Sequence, residues 1–281
     1  MNIYLADQSK QQIGGGFRFV ETFVKYAQKL EDVYFTEMAQ ADILFIPSAS
    51  MIQKDLFEQM QATKKPIILR IDNALKDSRN RGAGMSRLLK FAKGATQIIF
   101  QSIWAKEYLG LWLERNGVKI KNSPVVYNGG DTEIFYPNKQ SEPLFVYRYL
   151  FIKDKRFEEA AYHFYMKSLK DKECKLTIVG RFPKELIEHN FDFFNNEKIR
   201  YMGQIGDPRT IAELMRNHDV LLFPAFADAA PNTVIEARLC GMEIELVNSV
   251  GGTRELMQLP MEMITADYMT NEYLKIFRNV I

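Results

Sequence analysis

Short, nearly uninterrupted apolar runs alternate with amphipathic stretches along the whole chain. Five such runs stand at residues 3–6, 43–46, 67–71, 97–100 and 125–127, and five more at 144–147, 176–179, 199–202, 220–223 and 245–247. They are too short for buried helices and lack polar alternation, which predicts strands covered on both faces. Between them apolar residues recur at helical spacing: Phe19, Phe23, Tyr26 and Leu30; then Leu88, Leu89, Phe91 and Ala92; then Ile211, Leu214 and Met215. Strand, helix, strand, helix predicts an α/β fold with parallel sheets.

The alternation pauses once, over residues 128–143, where turn formers and two prolines stand without periodicity. That break predicts two doubly wound domains with a cleft between them. The boundaries fall at 1–137 for the first and 138–266 for the second, with a terminal segment, 267–281, left over. In such sheets ligands bind beyond the carboxyl ends of strands. Composition changes this picture little: 47% hydrophobic and 26% charged residues are ordinary for a folded domain. No apolar run reaches 18 residues, and the first residues lack the basic-then-apolar order of a signal peptide, so the expected location is cytoplasmic. Cys174 and Cys240 are too few for a disulfide framework or a zinc site, and His163, His189 and His218 have no metal-ligand spacing, so no metal is expected.

A net charge of +2 is too small to suggest nucleic acid. The charge is uneven, however. Residues 70–93 hold seven basic side chains against Asp72 and Asp77. That stretch is either a solvated helix face or a surface for an anionic acceptor, and residues 76–93 are a candidate for peripheral contact at the inner membrane face.

Four places offer chemistry. Gly14, Gly15 and Gly16 follow the first strand and precede a helix, where amides can approach a phosphate; a tight turn is the plain alternative. Their spacing is neither a dinucleotide fingerprint nor a Walker loop. Arg148, read as the end of the 144–147 strand, is followed by Lys153, Lys155 and Arg156. Basic side chains at a strand end can clamp a diphosphate, or form a solvated loop. After the 220–223 run comes Asp228, with Glu236 eight residues on, across a turn into a helix that begins near Pro231 or Asn232. Two acids so placed can address two parts of one ligand, or serve as a cap and an exposed helical glutamate. Last, Arg70 and Asp72 alternate at the end of the 67–71 strand, where one can reach a ligand and the other a structural partner; a surface salt bridge is the plain reading.

Taken together these residues resemble the retaining glycosyltransferases of family 4, the glycosyl transferases group 1, whose GT-B fold sets two Rossmann-like domains facing each other. Asp228-x7-Glu236 with Pro231 and Cys240-Gly241 is similar to the family's Glu-x7-Glu donor motif. Gly251-Gly252-Thr253-Arg254-Glu255-Leu256 is similar to its Gly-Gly-x-x-Glu-Leu segment. Asn128-Gly129-Gly130-Asp131 with Phe135 and Pro137 resembles its entry to the second domain. Arg148 with Lys153 resembles its diphosphate-binding pair, and Gly14–Gly16 its glycine loop. Two departures stand out: Asp228 replaces the usual glutamate, and the first half has no histidine.

The resemblance implies sugar transfer from a nucleotide-diphosphate sugar to a hydroxyl of a glycan, lipid-linked or small-molecule acceptor, without metal or cofactor. It implies catalytic roles for Arg148, Lys153, Asp228 and Glu236. It implies donor binding by Gly15, Gly16, Arg148, Lys153, Pro231, Asn232, Thr233 and Glu236, and sugar or acceptor positioning by Asp72 and Arg70. It implies that the terminal segment 267–281 is a helix that crosses back to the first domain. An inactive relative that binds a nucleotide sugar or glycan, or another GT-B enzyme such as a phosphorylase or epimerase, is the alternative.

Overall fold

The computed structural model describes residues 1–7, 15–72, 82–137, 148–152, 156–224, 227–248 and 251–281. The chain forms two compact units. The first holds Met1–Gly129, Asp228–Pro231 and Gly251–Ile281; the second holds Gly130–Ala227 and Asn232–Val250. The chain therefore does not divide at a single cut near residue 137. The loop Asp228–Pro231 belongs to the first unit, although its neighbours on both sides in sequence belong to the second.

In the first unit, β1 (Asn2–Leu5), β2 (Tyr34–Phe35), β3 (Ile43–Ile46), β4 (Ile67–Ile71) and β5 (Gln97–Phe100) form a parallel sheet in the order β2-β1-β3-β4-β5. Its helices are α1 (Gly15–Ala27), α2 (Lys54–Ala62), α3 (Gly82–Gly94), α4 (Ile103–Arg115), α10 (Thr253–Gln258) and α11 (Ala266–Val280). Strand β3 shows why apolar runs are uninterrupted here. Leu44 and Ile46 face a layer built by Leu56, Phe57, Phe91 and Leu109 of α2, α3 and α4. Ile43 and Phe45 face Phe19 and Phe23 of α1 together with Tyr273 and Phe277 of α11. Alternate side chains enter opposite cores, so both sets must be apolar. Helix α11 starts where the Thr265 hydroxyl accepts from the Tyr268 amide, and its aromatic face closes the second layer.

The second unit repeats the plan. Strands β6 (Arg148–Ile152), β7 (Lys175–Val179), β8 (Ile199–Tyr201), β9 (Val220–Phe223) and β10 (Glu243–Leu246) pair in parallel in the order β10-β9-β6-β7-β8. Helices α5 (Phe157–Lys170), α6 (Lys184–His189), α7 (Phe191–Phe194), α8 (Pro208–Arg216) and α9 (Asn232–Leu239) belong to it. Helix α8 has a clear start: Asp207 accepts from the Arg209 and Thr210 amides, and Pro208 occupies the first turn, where its missing N–H costs nothing. One core gathers Phe151, Phe157, Phe164, Leu176, Ile178 and Leu222.

Two sequence expectations differ from this. The run at 125–127 makes only an isolated bridge, Phe100 to Val125, and no strand. The run at 144–147 lies outside the described residues; the described strand begins at Arg148. Among the described residues no helix is long and apolar enough to cross a membrane.

Candidate functional site

At the carboxyl edge of the first sheet, Gly15 and Gly16 are the first residues of α1. Gly14 lies outside the described residues. A Cβ at Gly16 would stand 3.5 Å from the Met51 sulfur and 3.9 Å from Asp72 Oδ2. Asp72, half-buried, is the first residue past β4. The glycine loop and the strand-end acid, 56 residues apart in sequence, therefore meet at one edge.

Arg70, two residues earlier and inside β4, is enclosed instead. It is 1% exposed. Its Nη1 donates to the Pro47 carbonyl at 2.8 Å and its Nη2 to Asn128 Oδ1 at 2.8 Å. Its guanidinium stacks 3.8 Å from the centroid of Phe19. The surface salt bridge expected as the plain reading is thus replaced by a buried knot, because strand alternation turns residue 70 into the α1–α11 layer. The buried Tyr273 phenol lies beside it. Burial pushes this hydroxyl up to about 12; the nearby Arg70 charge opposes the shift and Asp72 adds to it.

From Arg70 the chain of bonds continues to the loop that carries the first acid of the motif. Asn128 Nδ2 donates to the Ala230 carbonyl at 3.1 Å. Asp228 pairs in a parallel bridge with Gly251, and the Gly252 amide donates to the Asp228 carbonyl at 2.9 Å. A side chain at Gly252 would overlap the Ala229 carbonyl and Ser102, so this close approach requires glycine. Asp228 and Pro231 are consequently fixed by backbone contacts within the first unit, with Pro231 buried. Glu255 then ties the glycine segment to α4: it accepts from the Ile103 amide at 2.9 Å, the Trp104 amide at 2.7 Å and the Tyr127 hydroxyl at 2.7 Å. A carboxylate at a helix amino end is favoured by the free amides and the helix dipole. Burial, then the bond to Glu255, raises the Tyr127 phenol far above its ordinary value.

Sequence reasoning quoted Asn128 and Glu255 inside similar segments but gave them no site role. Their partners are 102 and 151–152 residues away, so only the fold reveals the work they do.

In the second unit the sequence reading of Arg148 needs correction. Arg148 opens β6 rather than closing a strand, so it stands at the amino end of the sheet. Its amide donates to Asp219 Oδ2 at 2.7 Å, and its Nε is 3.6 Å from the same oxygen. Parallel sheets receive ligands at the opposite end. Lys153 lies outside the described residues. Glu236 is 7% exposed within α9, so it is no solvated helical glutamate. Asn232 and Thr233 open the same helix, half-buried, directly after the turn that follows β9.

The basic stretch divides as well. Arg70 is buried, Arg87 Nη1 donates to the Ile52 carbonyl at 3.3 Å, and Lys90 pairs with Glu58 at 2.6 Å. Residues 76–81 of the candidate membrane face lie outside the described residues.

The family model of glycosyl transferases group 1 matches residues 144–267, a span that contains Asp228, Glu236 and the Gly251–Leu256 segment. A curated relative, N,N'-diacetylbacillosaminyl-diphospho-undecaprenol alpha-1,3-N-acetylgalactosaminyltransferase of Campylobacter jejuni, is 28% identical over 174 residues, which is 57% of this chain. The chain spans 44% of the length of that relative. Among solved structures, Anabaena HepE in complex with UDP and glucose superimposes with a TM-score of 0.64 at 15% identity, over 100% of this chain and 91% of that one. Sucrose-phosphate synthase from Thermosynechococcus elongatus superimposes with a TM-score of 0.63 at 15% identity, over 99% of this chain and 90% of that one. At such identities the superpositions speak for the fold, two parallel α/β units of the GT-B kind. With that fold and that match across the acid-bearing segment, the chain is similar to the group 1 glycosyltransferases over residues 144–267.

Proposed function

We propose that this chain transfers a sugar from a nucleoside diphosphate sugar to an acceptor hydroxyl with retention of the anomeric configuration. The observation that carries the proposal is the bond chain Arg70–Asn128–Ala230, which fixes the Asp228 loop to the edge of the first sheet where α1 begins. In this reading the amides of Gly15 and Gly16, at the positive end of α1, receive the donor diphosphate. Lys153, which follows β6 directly in sequence, is a cation for the donor diphosphate; Arg148, at the amino end of its strand, takes no part. Glu236 accepts the ribose hydroxyls and Asp228 those of the sugar, with Asn232 and Thr233 lending helix-start amides. Asp72 positions the sugar or acceptor, and Arg70 acts through Asn128 as a positioning residue. Departure of the diphosphate is the costly step, and fixed charges aimed at it take the place of a metal. No covalent enzyme intermediate is assigned.

UDP is the first nucleotide to test, since HepE was crystallised with it. The name of the Campylobacter relative makes a polyprenyl-diphosphate-linked glycan the first acceptor. The experiment is a thermal-shift series against UDP, GDP, ADP and dTDP and their sugars, followed by donor turnover. A nucleotide at 100 times its dissociation constant should add about 2.7 kcal/mol of stability. Glu236→Gln should lose that shift while melting normally without ligand. NMR of the product reads the anomeric configuration. No shift and no turnover with any donor would reject the proposal and leave a non-catalytic relative. Phosphate-dependent glycan cleavage or free-sugar epimerisation would reject it in favour of those activities.

A further inference from the structure

Helix α5 has two apolar faces. The inner one places Phe157, Ala160 and Phe164 in the core of the second unit. On the outer one Tyr162, Tyr165, Met166 and Leu169 are 66%, 55%, 41% and 57% exposed. These positions fall at i, i+3, i+4 and i+7, which makes a single stripe along the helix. Stripes of large apolar side chains rimmed by polar residues mark interaction surfaces, and tyrosine and methionine are enriched at them.

Two features name the occupant. The spacing of the stripe reads the same in both directions. A two-fold axis between positions 165 and 166 therefore sets Tyr162 against the partner's Leu169 and Tyr165 against the partner's Met166, a self-complementary contact of the kind a symmetric dimer requires. The charges agree with the same axis. The first turn carries Glu158 and Glu159 and the last carries Lys167 and Lys170. Arg156 pairs with Glu159, and Glu245 holds Lys167 at 2.8 Å, both within the chain. Glu158 and Lys170 are exposed at opposite ends of the stripe. Antiparallel pairing brings Glu158 to within three residues along the axis of the partner's Lys170, about 4.5 Å at the helical rise. A parallel pair would set like charges together. A bilayer is the poorer occupant, because two acids and two lysines leave the helix without the basic excess that anionic lipid attracts.

We propose that the outer face of α5 is a self-association surface on which two copies of this chain pair antiparallel through Tyr162, Tyr165, Met166 and Leu169. The contact is small, so the dimer forms in the micromolar range. Sedimentation velocity of the full chain should show the mass rising toward twice the monomer between about 1 and about 100 micromolar. The double substitution Tyr165→Glu with Met166→Glu should stay monomeric with an unchanged circular dichroism spectrum. Lys170→Glu should weaken the dimer about tenfold, and adding Glu158→Lys to it should restore the affinity. Met166→Cys should be joined to its mate by a short bis-maleimide, because Cys174 and Cys240 are both buried and do not compete. A monomer at every concentration, a dimer insensitive to these substitutions, or anionic-vesicle binding that the stripe substitutions abolish would each overturn the proposal.

Discussion

Arg70 and Arg148 stand on parallel strands of two sheets with the same plan, yet they have opposite surroundings. Arg70 is the fourth of five residues in β4, next to the carboxyl end, and is buried on two acceptors and an aromatic ring. Arg148 is the first residue of β6 and shares one carboxylate with solvent nearby, its side chain about a third exposed. Residue type does not separate them; position along the strand does. The carboxyl end of a parallel strand faces the loops that build a site, and the amino end does not. Arg70 accordingly organises three such elements, the loop after β3, Asn128 and, through it, the Asp228 loop.

The largest effect that can break this contrast is Arg70→Met. The substitution fits the apolar layer but leaves the Pro47 carbonyl and the Asn128 amide oxygen without their donor. Unfolding in urea should show a loss of about 3 kcal/mol, the cost of one or two buried acceptors left unmade plus the ring contact. Donor affinity should fall as well, because Asn128 no longer fixes Ala230. Loss of stability with unchanged donor affinity would confine Arg70 to the fold and remove its positioning role.

The same contrast explains what the sequence could and could not reveal. Runs at 43–46, 67–71, 97–100 and 220–223 coincide with β3, β4, β5 and β9, because strands buried on both faces are mostly apolar, with the buried Arg70 of β4 as an exception. β2, at the sheet edge, is two residues long and too short to show any period. The stretch from Leu144 to Ile152 is apolar apart from Arg148, so the pattern offered two places to end a strand. Choosing the earlier one moved Arg148 from one end of the sheet to the other. Asp72 and Gly16 were legible as strand-end and helix-start residues because both features are local. The buried role of Arg70 was not, since its partners lie 23 and 58 residues away.

Tyr273 sharpens the picture of the Arg70 layer by its response to pH. Burial raises its value in the folded protein to about 12, above the ordinary phenol value of about 10. The folded protein therefore keeps this proton where the unfolded chain loses it. Stability from this group is complete below pH 10 and is lost as the pH rises toward 12. Tyr273→Phe should leave neutral-pH stability almost unchanged and reduce the alkaline slope by about 1.4 kcal/mol per pH unit. An unaltered slope would mean that the phenol is less enclosed than the packing around Phe23 and Phe277 implies.

The smallest effect belongs to Arg148→Ala, and it tests the strand-end argument most directly. Its ion pair with Asp219 is long and partly solvated, and the main-chain bond to Asp219 survives the substitution. Stability should change by no more than about 1 kcal/mol, and donor turnover should be unaffected. The charge should be felt instead at the amino end of the sheet. His218 there is held below its usual value, by burial first, with the Arg148 charge contributing against the bond to the Leu214 carbonyl. Removing Arg148 should move the His218 titration upward in an NMR pH series while leaving turnover alone. A tenfold fall in turnover with a stationary His218 would place the guanidinium at the reacting diphosphate after all, and strand position would no longer be a sufficient guide to which arginine serves the site.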